Sequence, residues 1–408
     1  MAAADPAICL PPHLPDPPAG RTLVLGAGKA AASMARAVEQ NWPRDIAGLV
    51  VTRYGHAVPT RHIEVVQAAH PVPDTAGEAA ARRILRAASE LGADDLLLVL
   101  ISGGGSSLLS LPAAGLSLGD KQEVNQALLR SGAPIDQMNV VRKHLSAIKG
   151  GWLAAAGPAR VVSLLISDVP GDDPAIIASG PTVADPSTFA QALQILANYQ
   201  ITPPLAVARH LAAAKRETPK PGDPRLVNCQ TVLIATPARS IAAAAKMAAA
   251  AGYQVVLLGD ALEGEARDLG AQHGEIALAH QLSGPISAQA SGRVALLSGG
   301  ETTVTVRGGG RGGRNVEYLA GLALALGGRP GISAIACDTD GIDGTEDNAG
   351  ALILPDTLAR AAAAGLDPGA LLADNDAYAL FQGLDDLLIC GPTLTNVNDF
   401  RAILIDPV

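Results

Sequence analysis

The stretch Thr22-Leu23-Val24-Leu25-Gly26-Ala27-Gly28-Lys29-Ala30-Ala31 decides how this chain is read. A short apolar strand, 22–25, runs directly into a glycine turn, and 30–40 then carries helical spacing. Strand, glycine turn and helix in that order begin a βα unit, whose helix start offers N–H groups to an anion. Lys29 adds a mobile point charge at the lip of the turn, within reach of a carboxylate or phosphate. The turn fits the G-x-G-x-x-A variant of the dinucleotide fingerprint. About 20 residues on, however, stand Thr52 and Arg53 rather than the acid that would hold a ribose, which disfavours NAD and leaves NADP open.

The alternation continues outward. Segments 48–52, 64–67, 95–102 and 160–167 are short apolar strands of the kind buried on both faces of a parallel sheet. Segments 76–90, 120–130 and 140–150 read as helices, with Asp120 and Asn139 as N-caps. The proline-rich stretch 202–224 is the best linker, which gives domains 1–222 and 223–408. Beyond it, 231–235, 254–259, 294–298, 302–307 and 332–337 read as strands. The close pair around 298–302 predicts a hairpin or tight crossing, hence a mixed second sheet.

The composition is globular, with 48% apolar and 17% charged residues, and only the start around Pro11, Pro12, Pro15, Pro17 and Pro18 reads as loose. A net charge of -9 without a basic run argues against nucleic acid or an anionic membrane as partner. Cys9, Cys229, Cys337 and Cys390 are far apart, so neither a disulfide framework nor a zinc knuckle is indicated. No signal-peptide pattern and no apolar run of about 18 residues occurs, so a cytoplasmic protein is expected. Glycine is the outlier: 44 of 408 residues, about 11% against a usual share of about 7%.

Those glycines gather in further loops. Ser102-Gly103-Gly104-Gly105-Ser106-Ser107, after a strand, is a backbone cradle for phosphate oxygens. Arg307-Gly308-Gly309-Gly310-Arg311-Gly312-Gly313-Arg314-Asn315 sets three guanidinium forks ahead of a helix start, although Arg314 could instead pair with Glu317 one turn on. On a helix, Arg142, Leu145 and Lys149 would share one face, flanked by Lys143 and His144. Two acidic loops, Ser167-Asp168-Val169-Pro170-Gly171-Asp172-Asp173 and Cys337-Asp338-Thr339-Asp340-Gly341-Ile342-Asp343-Gly344, suit magnesium or a substrate hydroxyl, with Asp168 and Asp340 preferred. The Walker A and protein-kinase signatures are absent, and the surroundings of His273 do not form HExxH.

Taken together with Val141 to Gly151, Ser179-Gly180-Pro181-Thr182, Ser298-Gly299-Gly300-Glu301-Thr302 and Gly391-Pro392-Thr393-Leu394-Thr395-Asn396-Val397-Asn398-Asp399, these motifs resemble the class II glycerate 2-kinase family from about 22 to 399. The resemblance implies an α/β enzyme: a Rossmann-like parallel sheet domain, then a second α/β domain of MOFRL type, with the MOFRL region at about 293–399. It implies transfer of the γ-phosphoryl of ATP to the 2-hydroxyl of D-glycerate with Mg²⁺. The family's substrate-contacting lysine falls on Lys29 and its cleft arginine on Arg314. Expected catalytic residues are then Lys29, Arg314, Asp168 and Asp340. Lys29, Arg142, Lys149 and Arg314 would hold substrate. Gly26, Gly28, Ser102, Gly103, Gly104, Gly105, Ser106 and Ser107 would hold nucleotide, with Asp168 and Asp340 on the metal. A homodimer is compatible with this. Two alternatives stay open: an NADPH-dependent hydroxypyruvate reductase and a non-enzymatic sugar-phosphate binding module.

Overall fold

The computed structural model describes residues 2–283 and 292–408. Two compact units divide it, Ala2–Ala235 and Thr236–Val408.

In the first unit six strands form one parallel sheet: β1 (Thr22–Ala27), β2 (Ile46–Arg53), β3 (Ile63–Ala68), β4 (Leu96–Ile101), β5 (Arg160–Ile166) and β6 (Cys229–Ala235). Their order is β3-β2-β1-β4-β5-β6. The chain works outward from β1 to β3 and then returns to β4 on the other side of β1. At such a reversal the loops after neighbouring strands separate and leave a crevice for ligand. Every residue of β4 is buried, as a continuous apolar run at the centre of a parallel sheet requires. Each fully buried Leu or Ile there contributes about 1.5–3 kcal/mol.

Helix starts follow local capping chemistry. Asp74 caps Thr75–Ser89 through the Gly77 amide, and Ser117 caps Leu118–Arg130. Asp120, expected as the cap, is instead the third helical residue and completes the capping box with Ser117. The next helix is Ile135–His144, which begins after Pro134, so Asn139 lies inside it and is buried. It ends at His144, and the chain reaches Gly150 and Gly151 at φ +57° and +87°, backbone that no helix continues through. Lys149 is therefore not on a helical face with Arg142.

The boundary lies at 235/236 rather than the expected 222/223, because β6 pairs with β5 in the first sheet. The proline-rich stretch is part of the first unit's packing: Val207 and Leu211 join Phe189 and Leu196 in one core, and Thr218 donates to buried Asp185.

The second unit holds β7 (Gln254–Leu262), β8 (Val294–Gly300), β9 (Ile332–Asp338), β10 (Gly350–Ile353), β11 (Leu387–Leu388) and β12 (Asp399–Ile405). Their order is β11-β10-β9-β12-β8-β7, with β7 and β8 parallel and the other pairs antiparallel, so the sheet is mixed. The expected strand 302–307 does not form. Thr303 only bridges to Glu265, and the last strand, β12, takes the place beside β8. Helix Arg314–Leu326 is buried along most of its length against this sheet. No helix among the described residues is long and apolar enough to cross a membrane.

Candidate active site

Because Ala27 on β1 pairs with Ile101 on β4, the two glycine turns leave the sheet side by side. They are joined. The Lys29 amide donates to the Gly103 carbonyl at 2.8 Å and the Ala30 amide to Ser102 Oγ at 2.9 Å. The Gly28 amide is taken by Val51 and the Ala31 amide by Gly28. Gly28, at φ +143°, is needed for this closeness: a Cβ there would lie 2.1 Å from Ser102 Oγ. Gly26 and Gly28 thus hold the two turns together, and the first-loop amides expected to face nucleotide phosphates already have protein partners.

The second loop is different. Gly104 takes the left-handed conformation, φ +77°, and none of the described hydrogen bonds uses the amides of Gly103 and Gly104. A Cβ at Gly104 would come within 2.9 Å of the His70 ring and 3.4 Å of Lys29 Cγ. Lys29 therefore lies against this loop as expected, together with His70, which the sequence did not single out. Ser106 Oγ lies 2.8 Å from Ser179 Oγ, which donates to Asn139 Oδ1.

Beside this loop is a pocket of about 200 Å³ lined by His70, Gly104, Ser106, Ser107, Lys121, Asn125, Arg142 and Lys149, with apolar walls from Val124, Leu128, Val141 and Leu145. Arg142 and Lys149, expected on one helix face, do converge here, but by tertiary packing. Arg142 Nε donates to Asn125 Oδ1 at 2.7 Å, and Lys149 Nζ donates to the Ser106 carbonyl at 2.7 Å. Lys121 stands on the buried face of its helix with Val124 and Leu128, and reaches only the Leu111 carbonyl, at 3.5 Å. Burial, reinforced by Arg142, pushes Lys121 down to about 7. Burial and the two neighbouring cations push Lys149 well below its ordinary value, and burial lowers Arg142. Two buried lysines and a half-buried arginine, none hydrogen-bonded to a carboxylate, make an environment short of an anion.

Arg314 in the second unit has the opposite surroundings. Its Nε, Nη1 and Nη2 each lie 2.8 Å from a carboxylate oxygen, of Asp399, Glu301 and Asp338 in turn. Burial opposes its charge, but Asp399, Asp338 and Glu301 hold its pKa well above the ordinary value. Glu301 is half exposed, whereas Asp338 and Asp399 are buried. The alternative partner, Glu317, is taken by Arg267 at 2.7 Å. The start of helix Arg314–Leu326 does not await an anion either: the amides of Asn315 and Val316 both donate to the buried carboxylate of Asp343 at 3.0 Å. Upstream, Asn375, Asp374 and Asp376 take the amides of Arg307, Gly308, Gly309 and Arg311. Arg311 itself pairs with Glu346. The loop's amides and the helix start beyond it are thus taken by Asn375, Asp374, Asp376 and Asp343.

Asp340 is buried beside Asp338 and fixes the Ile342 amide through Oδ1. Burial, then repulsion from Asp340 and Asp399, pushes Asp338 well above the usual carboxylate range. Asp168 is half-buried in the loop after β5. Among the described residues no three carboxylate, imidazole or thiolate groups form a metal-binding set. Mg²⁺ commonly takes only one or two carboxylates and completes its shell with substrate phosphates and water, and oxygen donors such as Asp338 and Asp340 fit that mode.

Sequence reading also missed Arg401. It is fully buried, donates through Nη2 to Asp399 Oδ2 at 2.7 Å, and lies 5.1 Å over the Tyr318 ring. Tyr318 in turn meets His273 at 2.8 Å. Burial, then Arg401, lowers His273 to about 4, so His273 is neutral and structural at neutral pH.

The chain is similar to known proteins along nearly its whole length. A domain family described as "Domain of unknown function (DUF4147)" matches residues 1–212, and the MOFRL family matches 294–399. A protein of Agrobacterium vitis provisionally named a hydroxypyruvate reductase is 55% identical over 99% of this chain and 92% of its own length. The D-glycerate 2-kinase of Thermotoga maritima is 40% identical over 94% of this chain and 91% of its own. A crystal structure of a Thermotoga maritima glycerate kinase superimposes with a TM-score of 0.89 at 39% identity, covering 99% of this chain and 96% of that one. With both domains matched in order and glycerate kinases similar along nearly the whole length, the chain belongs to the class II glycerate kinase family.

Proposed function

We propose that this protein transfers the γ-phosphoryl group of ATP to the 2-hydroxyl of D-glycerate, giving 2-phosphoglycerate, ADP and a proton. The observation that carries this reading is the anion-seeking side of the first unit: a glycine-serine loop, whose Gly103 and Gly104 amides enter none of the described hydrogen bonds, beside buried Lys121 and Lys149 and half-buried Arg142. Phosphoryl transfer asks mainly for positioning and charge neutralisation. The loop from Ser102 to Ser107 would hold nucleotide phosphates, Arg142 and Lys149 the acid, and Lys29 the charge between them. Arg314 would neutralise the moving phosphoryl by exchanging its outermost partner, Glu301, for phosphoryl oxygens while Asp399 and Asp338 keep the fork oriented. Bound Mg²⁺ would supply charge neutralisation at the phosphates, with Asp340 or Asp168 as carboxylate ligand or as orienter of the 2-hydroxyl. A cytoplasmic enzyme is the setting that fits ATP and a small acid.

The name carried by the Agrobacterium relative favours a second reading, NADPH-dependent reduction of hydroxypyruvate. Against it stands the first glycine turn, whose amides are spent on Val51, Ser102 and Gly103 rather than left for a pyrophosphate. The two readings part in one assay: ADP release with D-glycerate, ATP and Mg²⁺ supports the kinase, and NADPH oxidation with hydroxypyruvate in the absence of ATP supports the reductase.

A further inference from the structure

The pocket beside the Ser102 loop has more cationic charge than the family resemblance assigns. Lys121 stands among polar neighbours in Asp120-Lys121-Gln122-Glu123. In the structure it is buried, one turn before Val124 and Asn125 on the face that closes the pocket. Glu78, the carboxylate that attracts it, is spent at 2.7 Å on Arg82. Arg142 and Lys149 line the same space, and each is hydrogen-bonded only to neutral oxygens or sulfur.

Bringing buried Lys121 and Lys149 together with half-buried Arg142 does not serve stability, since burial and mutual repulsion both disfavour their charges. Such an arrangement is balanced when an anion enters. The size of the space restricts that anion. About 200 Å³ is below the range of about 300–1,000 Å³ typical of drug-sized ligands, a size that suits a three-carbon acid. The walls argue the same way: Val124, Leu128, Val141 and Leu145 suit a short carbon chain, and Lys121, Arg142 and Lys149 line the same space.

We propose that Lys121 is a substrate-binding residue, and that with Arg142 and Lys149 it seats the carboxylate of a three-carbon hydroxy acid. The naming of that acid as D-glycerate rests on the phosphotransfer reading above; the charge and size of the pocket do not. The Ser102–Ser107 loop, at the pocket's edge, is then left to the nucleotide phosphates.

Calorimetric titration of the full chain tests this without turnover. Wild-type protein is titrated with D-glycerate alone and with ADP alone, and the same is done for Lys121→Met. The expected result is a loss of at least about tenfold in D-glycerate affinity with ADP affinity within about twofold. Thermal denaturation of unliganded Lys121→Met should give a midpoint no lower than wild type, because the substitution removes an unneutralised buried charge. Should that variant fail to fold, Arg142→Met, at a half-buried position, repeats the comparison. Unchanged D-glycerate binding in the folded variants overturns the proposal. So does loss of ADP rather than acid, which would give the pocket to a nucleotide phosphate. If wild type ignores D-glycerate but binds hydroxypyruvate or lactate in a Lys121-dependent way, the pocket stands and the glycerate reading falls. If no three-carbon acid binds, the pocket proposal falls.

Discussion

Nε of Arg314 lies 2.8 Å from Oδ1 of Asp399, and the other oxygen of that carboxylate lies 2.7 Å from Nη2 of Arg401. One buried aspartate thus fixes two arginines, one half-buried and one sealed in the core. Arg401 already has Nε and Nη1 buried without a partner. Asp399→Asn would remove the charge that compensates it, and breaking a buried pair from one side costs about 3–5 kcal/mol. Urea unfolding of the purified variant should show a loss of that order; a change below about 1 kcal/mol would contradict the role given to Asp399.

Around Arg314 the three acids are expected to differ in consequence. Arg314→Ala and Lys29→Ala should each lower turnover at least about a hundredfold, about 2.7 kcal/mol of transition-state stabilisation. Glu301→Gln removes only the exposed partner and should leave turnover within about threefold. Near-normal turnover in either alanine variant would take that residue out of the chemistry.

The pH dependence of the unliganded protein carries the signature of the cation pocket. Burial and then repulsion from Arg142 lower Lys121 to about 7 when folded, with Glu78 attracting it. Between that value and its unfolded pKa, the unfolded chain holds a proton that the folded chain has released, so stability rises with pH in that window. The penalty is complete below about pH 7 and fades above it. Thermal midpoints should therefore climb from about pH 6.5 to about pH 9, and Lys121→Met should climb less; an identical slope in the variant would refute the assignment.

Gly104→Ala tests the loop geometry. A left-handed backbone costs a non-glycine residue about 1–2 kcal/mol, and the new methyl would press on the His70 ring. Turnover should fall about tenfold or more with the fold retained by circular dichroism; unchanged kinetics would mean that the loop does not hold nucleotide.

Much of this was legible in the sequence, for identifiable reasons. The buried run Leu96–Ile101 and the glycine turns after it mark the parallel sheet and its crevice, because two-sided burial and tight turns leave local signals. What was not legible depends on distant partners. The arginine forks of 307–315 gave no hint that Asp343, Asp374 and Asp376 would take the amides of the loop and the helix start. Lys149 meets Arg142 in the pocket although the helix between them stops at His144. Lys121 did carry a signal, its spacing to Val124 and Leu128, but a lysine among polar neighbours reads as surface until the packing is known. The boundary was misplaced because prolines mark irregular chain, and irregular chain here packs on the first unit's core.

The central claim is phosphorylation of D-glycerate at its 2-hydroxyl, and one coupled assay tests it most directly. D-glycerate, ATP and Mg²⁺ are supplied with the protein, and product is drawn through enolase, which accepts only the 2-phosphate. Immediate enolase-coupled flux without added phosphoglycerate mutase is the result expected here. Flux that appears only when the mutase is added, or no ADP release at all, would contradict it.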